Sequence, residues 1–268
     1  GLYKKVSCLG PEGSYTCLAA RIMCPEAELV LCNTFAQVVQ SVLSGATQAA
    51  VLPIENTING GVLQNMDLLE SNPSLSAVKE YTLRIDHRLI TLAGADKSKI
   101  NRIYSHRQAL DQCAEFLNAN YPKAELIAEN STAASISCIQ SETDAAIAGA
   151  QCEREGLEVS AECISDEKNN YTHFLLVING GLPEDFVSKK IYFTLTCSHK
   201  PGALLKILEI INDFALNMTK IESRPIKDRP GEYRFFIEIE GDYSREIVKD
   251  ALLTLEQSAH SFTLIGAY

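Results

Sequence analysis

Residues 6–24 read VSCLGPEGSYTCLAARIMC, which predicts a strand, a turn and a helix in that order. Val6 to Leu9 suits a buried strand, Gly10-Pro11-Glu12-Gly13 suits a turn, and a helical pattern starts at Ser14. A helix start carries unpaired N–H groups and partial positive charge, so this unit favours a bound carboxylate or phosphate. It is neither a GxGxxG fingerprint nor a P-loop, and an ordinary glycine turn capped by Ser14 explains it at least as well.

The same alternation of strands and helices continues through the first half of the chain. Thr34 followed by Gln37 forms a capping box at a helix start, and Gly45 is a helix stop. The order predicts a mostly parallel α/β sheet, and an extended pattern at 76–92 indicates a crossing into a second lobe. Further strands are expected at 29–32, 49–54, 126–128, 145–147 and 174–178, and further helices after residues 61, 105 and 131 and up to Gly156.

The C-terminal region has a different order. The sequence GGLPED at 180–185 is typical of a linker. After it, an alternating strand at 191–197 and a helix opening at Pro201-Gly202 are followed by strands at 217–221 and 233–239, a helix at 247–255 and a last strand near 262–264. This is βαβ twice over, the ferredoxin-like order. We therefore expect two domains, residues 1–185 and 186–268.

Composition excludes several classes of protein. The chain has 268 residues, 24 of them basic and 34 acidic, for a formal net charge of −10. Without clustered Lys and Arg it is a poor candidate for binding nucleic acid. No apolar run reaches the roughly 18 residues of a membrane span, and no signal-peptide core is present at the start. The nine cysteines are scattered without a CxxC pair, so we expect reduced thiols in a cytoplasmic protein.

Polar side chains recur at the predicted junctions between strands and helices. The segment 53–61, PIENTINGG, follows an apolar strand, which is the usual ligand position in open α/β sheets. Residues 130–134 and 169–174 repeat the theme of small hydroxyls and amides. No Ser-His-Asp order, HExxH motif or paired metal ligands stand out. Such a site suits a small anionic substrate that reacts without a cofactor or metal.

A further candidate lies at the predicted helix after residue 104. We expect Ser105 to begin this helix and to share one polar strip with Gln108 and Gln112, beside an apolar stripe. Amides near a buried face suit substrate carboxylates or hydroxyls. Capping by Ser105 and Gln108, with Gln112 in solvent, explains the same pattern and is favoured by the pattern alone.

In combination and in order, these motifs resemble the bacterial prephenate dehydratase family over essentially the whole chain. The region after residue 185 resembles an ACT regulatory domain. The segments that carry the resemblance are GPEGSYT at 10–16, PIENT at 53–57 with Gly60 and Val62, SH at 105–106, QAL at 108–110, QC at 112–113, STAA at 131–134, AAIA at 145–148, PGAL at 201–204 and ESRP at 222–225.

The resemblance implies a two-lobed catalytic domain, similar to periplasmic-type binding proteins, with the active site in the cleft between the lobes. Prephenate would lose its ring hydroxyl and ring carboxylate together, giving phenylpyruvate, CO2 and water without a cofactor. Thr172 is implied as the catalytic residue, a hydrogen-bond donor to the leaving oxygen. The residues implied to bind substrate are Ser14, Glu55, Asn56, Ser105, Gln108, Gln112, Thr132 and Phe174.

For the C-terminal region the resemblance implies feedback inhibition by L-phenylalanine. ACT domains of this family pair side by side and hold the effector at the shared interface, so a homodimer or homotetramer is implied. The residues implied to bind the effector are Gly202, Ala203, Leu204, Asn217, Glu222, Ser223, Arg224 and Pro225.

Two positions depart from the family pattern. The family has Asn-x-Thr-Arg-Phe before its last catalytic strand, whereas this chain has His173 in place of the arginine. A permanent guanidinium is therefore replaced by an imidazole, so we expect substrate affinity to become sensitive to pH. The third motif has Arg107 where the family usually has proline, and Arg107 is a candidate for compensating the lost charge.

Three other functions stay open at this point. Arogenate dehydratase performs the same chemistry on the aminated substrate. A solute receptor would use the same kind of cleft, although the ACT-like region disfavours it. A non-catalytic phenylalanine sensor, inactive through loss of the arginine, is compatible with the sequence as well.

Overall fold

A computed structural model describes residues 1–149 and 154–268. Its elements, in chain order, are β1 (Lys5–Leu9), α1 (Tyr15–Met23), β2 (Glu28–Cys32), α2 (Phe35–Leu43), β3 (Ala49–Asn56), β4 (Gly60–Gly61), α3 (Leu63–Ser71), β5 (Leu75–Arg84), β6 (Arg88–Leu92), β7 (Arg102–His106), α4 (Arg107–Gln112), α5 (Ala114–Asn120), β8 (Glu125–Glu129), α6 (Thr132–Ile136), β9 (Asp144–Ala148), β10 (Leu157–Ala161), β11 (Tyr171–Asn179), β12 (Lys190–Thr196), α7 (Ala203–Asp213), β13 (Met218–Pro225), β14 (Tyr233–Glu240), α8 (Glu246–Ser258) and β15 (Ser261–Ala267).

The chain forms two compact units. Unit 1 comprises residues 1–62 and 81–174, and unit 2 comprises residues 63–80 and 175–268. Each unit is built from two separate stretches of the chain, so the units do not meet at one boundary. The predicted domain boundary near residue 185 therefore stays a prediction. No helix in the described part of the chain is long and apolar enough to cross a membrane.

The first lobe of unit 1 has the predicted parallel α/β order. Strand β1 pairs in parallel with both β2 and β3, and helices α1 and α2 pack against these strands. The capping box is confirmed at its main contact, since Thr34 accepts from the Gln37 N–H at 3.1 Å. The loop expected from Glu55 begins later, because β3 extends to Asn56 and folds back on β4 as a hairpin.

The second lobe of unit 1 is a five-stranded mixed sheet in the order β10-β6-β9-β7-β8. Strand β7 is parallel to β8 and β9, whereas β6 is antiparallel to β9 and β10. Strand β10 had no clear sequence signal. The helix expected to run up to Gly156 falls largely on residues 150–153, which lie outside the described residues.

The expected helix start at Ser105 is wrong. Ser105 lies within strand β7, is 0% exposed, and donates to the Ile147 carbonyl at 2.7 Å. His106 is the residue that caps helix α4, since its Nδ1 lies 3.3 Å from the Gln108 N–H. The apolar side chains of β7 are buried in the sheet, so tertiary packing extends the strand past the predicted cap. The polar strip therefore contains Gln108 and Gln112 only.

Unit 2 contains the predicted ferredoxin-like arrangement. Strands β13-β14-β12-β15 form an antiparallel sheet in that order, and α7 and α8 contribute to one core with it. Helix α3 belongs to the same unit, where Arg224 binds Asp67 at 2.7 Å. Strand β15 meets β5 where Gly266 faces Ala77, and a Cβ on Gly266 would lie 2.2 Å from the Ala77 carbonyl oxygen. Only glycine permits this approach.

Candidate active site

A cleft of about 500 Å³ in unit 1 collects side chains from both of its lobes. Its walls are loops and helix starts that follow strand ends, as the sequence predicted. None of the described residues that line it is Lys, Arg, Asp or Glu, so their polar side chains are hydroxyls, amides and imidazoles. The predicted site residues that it brings together are Ser14, Asn56, Gln108, Gln112, Thr132, Thr172 and Phe174.

Two predicted substrate residues are not brought to this cleft. The Ser105 hydroxyl already donates a hydrogen bond to the Ile147 carbonyl within the buried sheet. Glu55 precedes Asn56 on β3, and successive side chains of a strand point to opposite faces. Asn56 lines the cleft and Glu55 does not, but Pro53, two residues before Glu55, lines it as well, so alternation alone does not account for the difference.

The Asn56 amide, which lines the cleft, is held in one orientation. Its Oδ1 accepts from the backbone N–H groups of Ile58 at 2.9 Å and Asn59 at 3.1 Å. Backbone N–H groups can only donate, so the opposite side of the amide is its NH2 group. That nitrogen donates to Thr172 Oγ1 at 2.9 Å and to Asn170 Oδ1 at 2.8 Å. Since the Thr172 oxygen accepts this bond, the Thr172 proton is directed to other acceptors.

Successive residues of strand β11 differ in whether they line the cleft. Thr172 and Phe174 line the cleft, whereas His173 does not. The His173 Nδ1 instead lies 2.8 Å from Thr82 Oγ1. The expected contact of His173 with substrate charge is therefore not supported by its position. Arg107 is exposed at the start of α4 and also lies outside the lining.

His87 lines the cleft and lies in none of the motifs singled out from the sequence. Tyr15 and Asn170 also line it; they lie in the predicted segments 10–16 and 169–174 but were assigned no role there. His87 is 3% exposed, and its Nε2 lies 2.8 Å from Gln112 Oε1. Burial lowers the pKa of His87 below its usual range, partly offset by the Gln112 bond and nearby Asp86. A signal existed, because the dipeptide Asp86-His87 interrupts the apolar pattern at 76–92.

Helix starts contribute partial positive charge to the cleft, whose described lining has no Lys or Arg. Ser14 caps α1 by accepting from the Cys17 N–H at 3.2 Å, while its own hydroxyl donates to the Leu9 carbonyl at 3.3 Å. Ser131 caps α6 in the same way, accepting from the Ala134 N–H at 3.0 Å. Unpaired N–H groups in the first turn of a helix favour carboxylates even without Lys or Arg.

Similarity to known proteins identifies the family of this chain. A family model described as prephenate dehydratase matches residues 6–180, and a model of the ACT domain matches residues 192–257. The chain belongs to the prephenate dehydratase family. The prephenate dehydratase of Amycolatopsis methanolica is 31% identical, over 98% of this chain and 88% of that protein. This family is enzymatic, and its two-lobed domain and ACT domain agree with the observed folds.

Two solved structures are similar over nearly the full length. The prephenate dehydratase of Arthrobacter aurescens, in complex with L-Phe, is 29% identical with a TM-score of 0.85, covering 98% of this chain and 90% of that one. A protein described as a novel type of quorum quenching acylase is 26% identical with a TM-score of 0.85, covering 99% and 97%. The fold is therefore shared by proteins with different described activities.

The predicted effector residues of the ACT domain are not gathered in one cavity. Gly202 has a φ of 81° at the start of α7, and the next two residues, Ala203 and Leu204, line a second cavity of about 370 Å³ in unit 2. None of the other predicted effector residues lines that cavity. Glu222 to Pro225 lie on β13, the last strand at one end of the ACT sheet.

Proposed function

We propose that this chain catalyses the decarboxylating dehydration of prephenate to phenylpyruvate in L-phenylalanine biosynthesis. Family membership supports the proposal, and one observation carries it: Asn56 donates to Thr172 Oγ1 at 2.9 Å. A threonine whose oxygen accepts this bond keeps its own proton for a group in the cleft. A preorganised donor of this kind stabilises an oxygen that gains negative charge in the transition state.

The reaction breaks two bonds on one ring and makes the ring aromatic. The bond from the ring to its carboxylate breaks, CO2 leaves, and the electron pair enters the ring. Across the ring, the carbon–oxygen bond breaks and the oxygen leaves with its electron pair. A threonine hydroxyl is a very weak acid, so Thr172 donates a hydrogen bond to the departing oxygen and solvent supplies the net proton that makes water.

Binding two carboxylates is the second requirement of the reaction. Donors come from the start of helix α1 behind Ser14 and from the amide N–H groups of Gln108 and Gln112, in a cleft whose described lining has no Lys or Arg. Thr132 adds a hydroxyl, and Phe174 adds an apolar wall for the ring. Neutral donors bind carboxylates less strongly than a guanidinium does, so they hold the ring carboxylate less tightly against its loss as CO2.

Incubation of the purified protein with prephenate at neutral pH tests this proposal. Phenylpyruvate should form faster than in a blank without enzyme, since prephenate also reacts slowly by itself. A rate equal to the blank would contradict the proposal. A parallel incubation with arogenate measures preference for the aminated substrate, and an amide substrate offered in a third incubation should remain intact.

L-phenylalanine is proposed as the effector of the ACT domain. The support is the ACT domain match and the L-Phe complex described for the Arthrobacter aurescens relative. The effector residues would be those predicted from the sequence, from Gly202 to Leu204, Asn217, and Glu222 to Pro225. Calorimetric titration with L-phenylalanine should show binding, and its addition should lower turnover; no binding at millimolar concentration would contradict this part.

The proposal extends to domains, assembly and location. We infer a catalytic domain at 1–185 and a regulatory domain at 186–268. Pairing of two ACT domains would give a homodimer or homotetramer, which light scattering can measure. A cytoplasmic location is inferred from the scattered cysteines, and all eight cysteines in the described residues are free thiols.

A further inference from the structure

A continuous series of polar side chains runs along the wall of the cleft from Tyr15 to Thr172. Its members, in order, are Tyr15, His87, Gln112, Asn170, Asn56 and Thr172. The Tyr15 Oη lies 3.3 Å from His87 Nδ1, and Asn170 Nδ2 lies 3.4 Å from Gln112 Oε1. Buried polar groups connected in this way constrain one another's orientation.

The direction of every bond in this series follows from one fixed end. Two backbone N–H groups fix the Asn56 amide, so its NH2 faces Asn170 Oδ1. The Asn170 amide must then present its NH2 to Gln112, which accepts through Oε1. An amide can only accept through its oxygen and donate through its nitrogen. Oε1 of Gln112 is therefore also the atom that faces His87 Nε2, and that ring nitrogen must carry the proton.

The same logic assigns the far end of the series. His87 is buried, and its lowered pKa keeps the ring neutral at pH 7. A neutral ring with a proton on Nε2 has a bare Nδ1, which accepts from the Tyr15 hydroxyl. The Tyr15 hydroxyl also donates to the Asp86 carbonyl at 3.2 Å, so its single proton is shared between these two acceptors.

We propose that His87 is a positioning residue for the dehydratase reaction: its Nε2–H holds Gln112 Oε1, so that the Gln112 NH2 group is aimed into the cleft as a donor to the substrate. His87 acts through Gln112 and not as a proton donor. The proposal rests on the proposed function for the identity of the substrate, but the tautomer that it requires can be observed without turnover.

Two substitutions of similar size and polarity separate the two ring nitrogens of His87. His87→Gln places an amide NH2 near the position of Nε2 and keeps a donor to Gln112. His87→Asn places its amide near the position of Nδ1, keeps a contact with Tyr15 and loses the donor to Gln112. We expect His87→Gln to retain most of kcat/KM and His87→Asn to lose roughly 10- to 100-fold, the size typical of a misplaced binding group.

A double-mutant cycle tests whether the effect passes through Gln112. In a Gln112→Ala background, His87→Asn should cost less than about twofold, because residues that act through one contact are not additive. His260→Leu, at an exposed histidine of unit 2, is the matched control and should leave kcat/KM unchanged. An equal loss from His87→Asn in both backgrounds, or equal activity of the Gln and Asn variants, would overturn the proposal.

Nitrogen NMR of the wild-type protein labelled in its histidine rings provides the independent readout. The His87 ring should show a proton on Nε2 and a bare Nδ1 at pH 7. The opposite tautomer, or a doubly protonated ring, would overturn the proposal even if activity is never detected. A wild-type protein without prephenate turnover but with the expected tautomer would instead contradict the proposed function and leave the hydrogen-bond assignment standing.

Discussion

The cleft of unit 1 and the effector motifs of unit 2 differ in whether one chain is enough to bring their predicted residues together. In the cleft, Asn56 and Thr172 are joined by hydrogen bonds whose directions are fixed from within the chain. In unit 2, Ala203 and Leu204 line a cavity, whereas the ESRP motif lies on β13. That strand is last in its sheet and leaves Ile221 41% exposed. A single chain thus assembles the candidate catalytic site, while the proposed effector site fits the proposed pairing of two copies.

The largest expected effect is at Thr172. Thr172→Ala removes the donor to the leaving oxygen, and kcat should fall by roughly 10²–10³, the usual loss for one preorganised donor. Thr172→Ser retains the hydroxyl and should keep much more activity. Steady-state kinetics with prephenate measure both variants.

Thr82→Ala is the matched control for this substitution. Thr82 bonds the His173 ring and lies outside the cleft lining. Its removal should leave kcat close to wild type. Equal activity of the Ala and Ser variants at position 172 would remove the hydroxyl from the mechanism and break the claim that the cleft is preorganised.

The effector motif offers the next largest effect. Gly202→Val should abolish inhibition by L-phenylalanine and leave catalysis near normal, since glycine lets backbone approach a ligand closely. A coupling of roughly 1–3 kcal/mol, or about 5- to 150-fold in affinity, would be lost. Inhibition curves for the wild type and the variant provide the measurement.

Two control variants distinguish a loss of effector binding from an effect of backbone strain at Gly202. Gly202 has a φ of 81°, so valine adds strain there as well as bulk. Gly45→Val adds valine at the same φ of 81° in unit 1 and should leave inhibition intact. Gly202→Asn tolerates this φ, so inhibition that survives valine and asparagine alike would mean that the motif does not contact the effector.

Local patterns were sufficient to predict most of the fold. Glycine turns, capping residues and alternation gave the parallel lobe and the ferredoxin-like region, because each signal lies within a few residues of the element it defines. Ser105 shows where this reasoning fails. A serine before a helix has the chemistry of a cap, but burial of β7 against Ile147 extended the strand and moved the cap to His106.

The site was predictable in part for a related reason. Motif residues such as Asn56 and Gln112 reached the cleft, because strand ends and helix starts meet there. His87 could not be found in this way, because its role depends on a contact with Gln112 across 25 positions of sequence. Asn170 lies in the predicted segment 169–174, but its contact with Gln112, across 58 positions, was not predictable. His173 illustrates the opposite error, since its motif does not reveal which face of β11 each member occupies. Glu55 is likewise a motif residue that does not line the cleft.

A smaller effect is expected in how the free energy of unfolding depends on pH, and it comes from His87 in the cleft. Burial lowers the pKa of His87 in the folded chain, so the unfolded chain takes up this proton at a higher pH. The free energy of unfolding should therefore fall as pH drops below about 6.5, the ordinary histidine value, towards the lowered folded value. The groups that face the ring are Tyr15, Gln112 and Asp86, and the Asp86 carboxylate is paired with Arg88 at 2.9 Å.

His87→Gln removes the titrating imidazole, so the difference between variant and wild type isolates its contribution to the free energy of unfolding. Urea unfolding at a series of pH values should show that the variant gains stability relative to wild type as pH falls, while the other histidines contribute equally to both. Parallel curves for the two proteins would mean that His87 is not buried in the way the structure describes.

The smallest effect is expected at His173, and it sharpens the comparison between the two faces of β11. His173→Arg restores the residue usual in the family, and from the sequence alone it should have strengthened substrate binding and flattened its pH dependence. The structure indicates otherwise, because His173 bonds Thr82 on the face opposite Thr172 and Phe174. A charge introduced there acts on the substrate only through screened, long-range attraction, so KM for prephenate should change by less than about threefold.

KM measured at several pH values for the wild type and His173→Arg tests this prediction. Thr172→Ser serves as the comparison variant at the neighbouring position that faces the cleft. A large drop in KM, with loss of its pH dependence in the Arg variant, would mean that position 173 reaches the substrate after all.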